Sequence, residues 1–242
     1  MISKQIVCGS GDLSKHFTED NTKPILGPIA RYIISLTCKN RPKFCFVGTA
    51  SGDSPVWINK FHEACGNANV EPSDLQLFKS PNHENIREFL LSQDIIWVEG
   101  GSVDNLLAVW EVHGVYDIMR EAYEKGIILS GYSAGSECWS AGGTTRDLGK
   151  IPRPFVNKNS ILPFSSGVHN DIEPERQPLF HKLIEDDKIP AGYATEEGVS
   201  IHFINNELHK VISDTPSKAA YYVRKGEGSK IIETKLQPQF IK

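Results

Sequence analysis

Gly126-Ile127-Ile128-Leu129-Ser130-Gly131-Tyr132-Ser133-Ala134-Gly135-Ser136-Glu137-Cys138-Trp139 is the stretch on which the reading of this chain turns. The segment 126–130 reads as a strand. Gly-x-Ser-x-Gly between a strand and a helix is a nucleophile elbow. Glycines two residues before and after Ser133 remove side chains that would collide in so tight a turn. The serine between them is forced into a strained backbone. Its hydroxyl then stands free at the carboxyl edge of a sheet, and the helix that follows points its N-terminus at the same place. Glycine and serine are also common in plain strand-to-helix turns. The five residues alone therefore leave both readings open.

Working outward, strands alternate with helices. Residues 1–8 read as a first strand ending in the loop Gly9-Ser10-Gly11-Asp12. Residues 43–48, 75–78 and 94–98 read as further strands. The last carries an apolar run after Asp94, Ile95-Ile96-Trp97-Val98, as expected of a strand buried on both faces. Helices are predicted over 24–36, 56–64, 83–91 (capped by Asn82), 103–110 and 115–125. This order specifies an α/β fold, a mostly parallel sheet with helices on both faces. Beyond Trp139 the pattern loosens. Residues 141–164 are rich in glycine, proline and polar residues and read as loop with one short strand. A helix over 174–185 and a hairpin of 198–203 with 208–212, turning through 204–207, complete the chain. With no repeat, low-complexity segment or linker, residues 1–242 read as one domain.

The 242 residues suffice for a large core. A formal net charge of −4 gives no electrostatic case for nucleic acid or an anionic membrane as partner. No apolar run approaches a membrane span, and the N-terminal one is too short for a signal peptide. The five cysteines, Cys8, Cys38, Cys45, Cys65 and Cys138, are odd in number and never spaced Cys-x-x-Cys. They read as reduced thiols of a cytoplasmic protein. Cys138, five residues after Ser133, reads as a small apolar residue of the helix. No metal-ligand pattern or cofactor motif is present. His169-x-Asp171 is too sparse for zinc, so no metal and no cofactor are expected. Oligomeric state stays open.

A parallel sheet places its chemistry beyond the carboxyl ends of its strands. Besides the elbow, one other loop qualifies there, Glu99-Gly100-Gly101-Ser102 after strand 94–98. An oxyanion formed by serine attack needs preplaced N–H donors. Ala134, next after the nucleophile, supplies one, and Gly101 is chosen for the other. The serine needs a base, and the base an orienting acid. His16, His62, His83, His113, His181 and His209 read as surface residues, and His202, alternating with apolar neighbours, as structural. His169 follows the apolar segment 161–164, where a strand end would put a base. Position alone does not rank it far above the others. Glu196 and Glu197 lie between two extended segments, so one of them can face the site while the other faces solvent.

Together, Val98-Glu99-Gly100-Gly101-Ser102, Gly131-Tyr132-Ser133-Ala134-Gly135, Val168-His169 and Glu197-Gly198 resemble, in that order, the aspartyl dipeptidase (peptidase E) and cyanophycinase family of serine peptidases. The resemblance runs over most of the chain, from about residue 5 to 213. It implies a three-layer α/β sandwich akin to the class I glutamine amidotransferases. It implies Ser133 as nucleophile, His169 as base and Glu197 as acid, with Gly101 and Ala134 as oxyanion donors and a short peptide as substrate. Two departures bear on substrate binding. The family loop often reads Gly-Gly-Gly-Asn where this chain has Glu99-Gly100-Gly101-Ser102, so Gly100 and Ser102 are candidate substrate contacts that lack a possible amide. Arg176 lies near where aspartyl dipeptidases place an arginine that pairs with an acidic substrate side chain. A solvated helical ion pair with Glu173 or Glu175 explains it equally well. Two alternatives remain: an α/β-hydrolase-like esterase, whose acid would precede its histidine, and a non-catalytic amidotransferase-like binding protein.

Overall fold

The structure is a computed structural model that describes residues 2–15 and 23–242. Met1 of the first predicted strand and His16 lie outside the described residues. Among the described residues the strands form an eight-stranded sheet, a six-stranded sheet and a two-stranded ribbon.

The large sheet has the fold expected of the βαβα order. Its spatial order is Gln239–Phe240, Glu207–Ser213, Val199–Ile204, Gln5–Gly9, Ile128–Tyr132, Ile95–Val98, Lys43–Val47 and Glu71–Leu75. From Gln5–Gly9 to Glu71–Leu75 every pairing is parallel, and Val199–Ile204 joins antiparallel. Alternate residues feed opposite faces. Val7, Phe44, Phe46 and Trp97 pack against helices Pro28–Leu36 and Pro55–Cys65. Ile6, Cys45, Val47 and Val98 pack against helices Val103–His113 and Val115–Glu124. Two helical layers thus enclose one sheet. Each fully buried side chain of this size contributes about 1.5–3 kcal/mol. Proline opens both helices of the first layer, where its missing N–H would be unpaired in any case. Among the described residues no helix is long and apolar enough to cross a membrane.

Several expectations need correction. The strand expected at 75–78 is Glu71–Leu75, an edge strand that tolerates Pro72 because only one side is paired. Residues 77 and 78 instead donate their N–H groups to the Asp53 carboxylate. The helix expected from 83 starts at Ile86, and its cap is Asn85 rather than Asn82. The strand before the elbow is Ile128–Tyr132, two residues later than expected. The helix after the elbow is only Ala134–Glu137. The hairpin turn is two residues, Asn205 and Asn206, with φ 53° and 65°, the left-handed pair that matches strand twist.

The largest correction concerns 141–164. Strands Gly142–Thr145 and Arg153–Val156 lie there, and with Ser165–Gly167, Gly192–Thr195, Ala220–Lys225 and Ile231–Leu236 they form the second sheet. Its glycines made it look like loop, yet they are what lets its strands pair. A Cβ on Gly143 would sit 2.1 Å from the Ser166 carbonyl, and one on Gly192 2.1 Å from that of Ser165. One face of this sheet receives helix Arg176–Glu185 through Phe180, Leu183 and Ile184. On its other side, Phe164 and Tyr193 pack against Phe203 of the large sheet.

Candidate active site

The two sheets meet at the elbow. Ser133 follows the large-sheet strand Ile128–Tyr132 and has φ 53°, ψ −118°. This is a sparsely populated conformation for a residue with a side chain and costs on the order of 1–3 kcal/mol. Close packing makes both flanking glycines obligatory. A Cβ on Gly131 would lie 2.2 Å from the Gly135 carbonyl, and one on Gly135 1.9 Å from that of Val98. The Ser133 carbonyl accepts from Ser136 and Glu137, and its N–H donates to the Gly9 carbonyl at 3.0 Å.

His169 and Glu197 come from the second sheet. Strands Ser165–Gly167 and Gly192–Thr195 run parallel, side by side, and each ends just before one of these residues. His169 Nε2 is 2.9 Å from Ser133 Oγ. His169 Nδ1 is 2.7 Å from Glu197 Oε2. Hydroxyl, imidazole and carboxylate thus form a continuous hydrogen-bonded chain, although 36 and 28 residues separate its successive members. His169 is buried and takes φ 58°. Glu196 points elsewhere and accepts from the Ala219 N–H and the Tyr221 hydroxyl, both at 2.8 Å.

Three residues around this chain have no role that the sequence assigns. Tyr132 meets the His169 ring edge-on at 5.4 Å, and its hydroxyl donates to Glu197 Oε1 at 3.3 Å. Burial, reinforced by the Glu197 charge, raises its phenol pKa and keeps that proton in place. Asp171 accepts the Glu197 N–H at 2.9 Å and pairs with Lys218 at 2.5 Å. Ser10 is fully buried and accepts the His169 N–H. Tyr132 and Ser10 carry no sequence signal for these roles, because each role is defined by a contact distant in the chain. Asp171 alone was visible, as a neighbour of His169.

The glycine loop lies against the elbow. A Cβ on Gly100 would be 3.2 Å from the Ser133 Cβ. Gly101 has φ 142°, and a Cβ there would strike the Ala50 carbonyl at 2.2 Å. The Glu99 carboxylate lies close to the Gly100 backbone. The N–H groups of Gly101 and Ala134 have no hydrogen-bond acceptor among the described residues. Glu99 is buried and also accepts from Trp97 Nε1 at 3.2 Å. Burial pushes its carboxyl up to about 7. The charge of Asp12 adds to the rise, and the Gly100 backbone and Trp97 oppose it.

The remaining candidates sit differently from their expected places. The Ser102 hydroxyl accepts the Asn105 N–H as a helix cap and donates to Asp147 at 2.7 Å, so it is engaged in both directions. Arg176 is not a solvated ion pair. It is buried beneath the elbow, with Nη1 3.4 Å from Glu137 and 3.2 Å from the Thr144 carbonyl. Its Nε lies 2.5 Å from Glu173 without hydrogen-bond alignment. Cys138 is buried and donates to the Gly135 carbonyl.

The model of a family described as peptidase family S51 matches residues 9–211. An uncharacterized peptidase, YgaJ, of Bacillus subtilis is 36% identical over 197 residues, 81% of this chain and 84% of that protein. Peptidase E of Shewanella amazonensis is 26% identical over 151 residues, 62% of this chain and 60% of that one. Two crystal structures share the fold. One is a peptidase from an acI-B1 Actinobacterium, with a TM-score of 0.68 at 15% identity, covering 97% of this chain and 94% of the other. The second is a putative peptidase E from Listeria monocytogenes, with a TM-score of 0.53 at 16% identity, covering 97% and 100%. The architecture is thus the class I glutamine amidotransferase-like one of peptidase E-type proteins.

Proposed function

The chain belongs to peptidase family S51, and from that premise we propose that it hydrolyses dipeptides or short peptides through an acyl-enzyme on Ser133. One observation carries this reading: the unbroken hydrogen-bonded chain from Ser133 Oγ through His169 to Glu197, with the serine held in a strained turn.

Ser133 Oγ attacks the scissile carbonyl carbon as its proton passes to His169 Nε2. The oxyanion is received by the Gly101 and Ala134 N–H groups, which nothing else among the described residues occupies. The C–N bond then breaks, and His169 returns the proton to the leaving amine. Water, giving its proton to His169, attacks the acyl carbon and releases the acid and the free serine. Glu197 holds the imidazole with Nδ1–H toward it and stabilises the imidazolium. Arg176 makes no case for an acidic substrate side chain, because its guanidinium faces Glu137 and Glu173.

A panel of dipeptides and short peptides, with N-terminal aspartyl ones among them, tests the proposal. Wild type should cleave some of them, and Ser133→Ala should lose on the order of 10⁴–10⁶ in kcat while melting like wild type. Unchanged turnover in that variant refutes the nucleophile. Cleavage of esters alone means an esterase, and a wild type that cleaves neither peptides nor esters means a binding protein.

A further inference from the structure

We propose that Ser10 is a positioning residue for the base, and that Gly9-Ser10 holds all three members of the triad in register; this rests on the reading of Ser133, His169 and Glu197 given above. The segment lies at the carboxyl end of the strand Gln5–Gly9, between the strand that leads to Ser133 and the strand that follows Glu197. Its contacts reach each member in turn. The Gly9 carbonyl accepts the Ser133 N–H at 3.0 Å. The Ser10 N–H donates to the Val199 carbonyl at 2.8 Å, and the Ser10 carbonyl accepts the Gly198 N–H at 2.9 Å. Those two partners are the residues directly after Glu197.

The side chain reaches the third member. Ser10 Oγ accepts the His169 N–H at 2.9 Å. It also lies 2.8 Å from Thr195 Oγ1 and donates toward the Thr195 carbonyl at 3.2 Å. That carbonyl accepts the Asn170 N–H as well, at 3.0 Å. The left-handed turn at His169 is therefore pinned on both sides of its own peptide. A residue with a side chain holds φ 58° only where its surroundings over-determine it. A buried N–H without an acceptor is costly, so deleting the hydroxyl drives the turn to relax. Relaxation moves Nε2 relative to Ser133 Oγ. Ser10 touches no reacting atom, and its effect passes through His169.

The test measures turnover per active site, counted by titration with a fluorophosphonate. In Ser10→Ala, kcat per titrated site should fall about 10–100-fold with KM within about twofold, and the rate of fluorophosphonate labelling should fall in parallel. If Ser10→Ala does not fold, Thr195→Val reports instead. It removes the hydroxyl that orients Ser10 and should lower kcat per site, whereas Thr195→Ser should restore it. Unchanged kcat per titrated site, in Ser10→Ala or failing that in Thr195→Val, overturns the proposal. So does a loss of titratable sites with normal turnover at those that remain, which marks Ser10 as structural only. A wild type that neither cleaves peptide nor takes the label overturns the peptidase reading, and this inference with it. An active wild type beside an equally active Ser10→Ala overturns the Ser10 inference alone.

Discussion

Ser133 and His169 solve the same problem by opposite means. Each is a non-glycine residue at positive φ, 53° and 58°. The elbow is built locally: glycines two residues either side leave no room for any other side chain, and the turn closes on its own carbonyl. The histidine turn has a glycine on one side only, Gly167, where a Cβ would come no closer than 3.3 Å to a neighbour. It is held by Ser10, 159 residues away, and its side chain by Glu197, 28 residues away. One half of the site is written in five consecutive residues, and the other exists only once two sheets have met. Local geometry makes the nucleophile, while tertiary assembly supplies the base and acid.

The contrast is sharpest at Glu196 and Glu197, neighbours with unrelated jobs. Glu197→Gln should lower kcat on the order of 10⁴-fold, because an amide no longer enforces the imidazole tautomer. Glu196→Gln should leave kcat nearly intact and lower the melting temperature instead, since its carboxylate accepts from Ala219 and Tyr221. Peptide kinetics and thermal melts on the two variants read this directly, and reversed effects move the acid to Glu196.

Packing is tested by one glycine from each region. Gly135→Ala in the elbow and Gly192→Ala in the second sheet would place a Cβ 1.9 Å and 2.1 Å from backbone. Each should cost about 3 kcal/mol or more in denaturant unfolding. If only Gly135→Ala destabilises, the second sheet is looser than its close pairing indicates.

How the site could be read from sequence follows the same division. The parallel strands read at 94–98 and 126–130, the elbow and the glycine loop were visible because apolar runs and glycines act within a few residues. The strands of the second sheet within 141–164 were not, because Gly142 and Gly143 read as loop until Phe155 and Ser166 lie beside them. His169 stood out among eight histidines only through family resemblance. The direction of Arg176, toward Glu137 and away from solvent, depends on a helix of the second sheet packing under the elbow.

Smaller effects probe the support of each half. On the second-sheet side, Asp171→Ala frees the Glu197 N–H and should lower kcat by about tenfold through loss of one charge-assisted hydrogen bond. An unchanged kcat places Asp171 outside the site's support. On the elbow side, Glu99 keeps its proton to about pH 7 when folded but ionises from about 4.5 when unfolded. The folded state binds more protons in that window, so the Glu99 contribution to stability falls as pH rises through it. Glu99→Gln should flatten the decline in melting temperature between those two pH values. An identical slope in the variant assigns the decline to other groups.

The most direct test of the central claim is to label wild type with a fluorophosphonate and map the adduct by peptide mass spectrometry. A single adduct on Ser133 is expected, formed on the order of 10²–10⁴ times more slowly in His169→Ala. A label on another residue, or on Ser133 at the same rate without the imidazole, contradicts it.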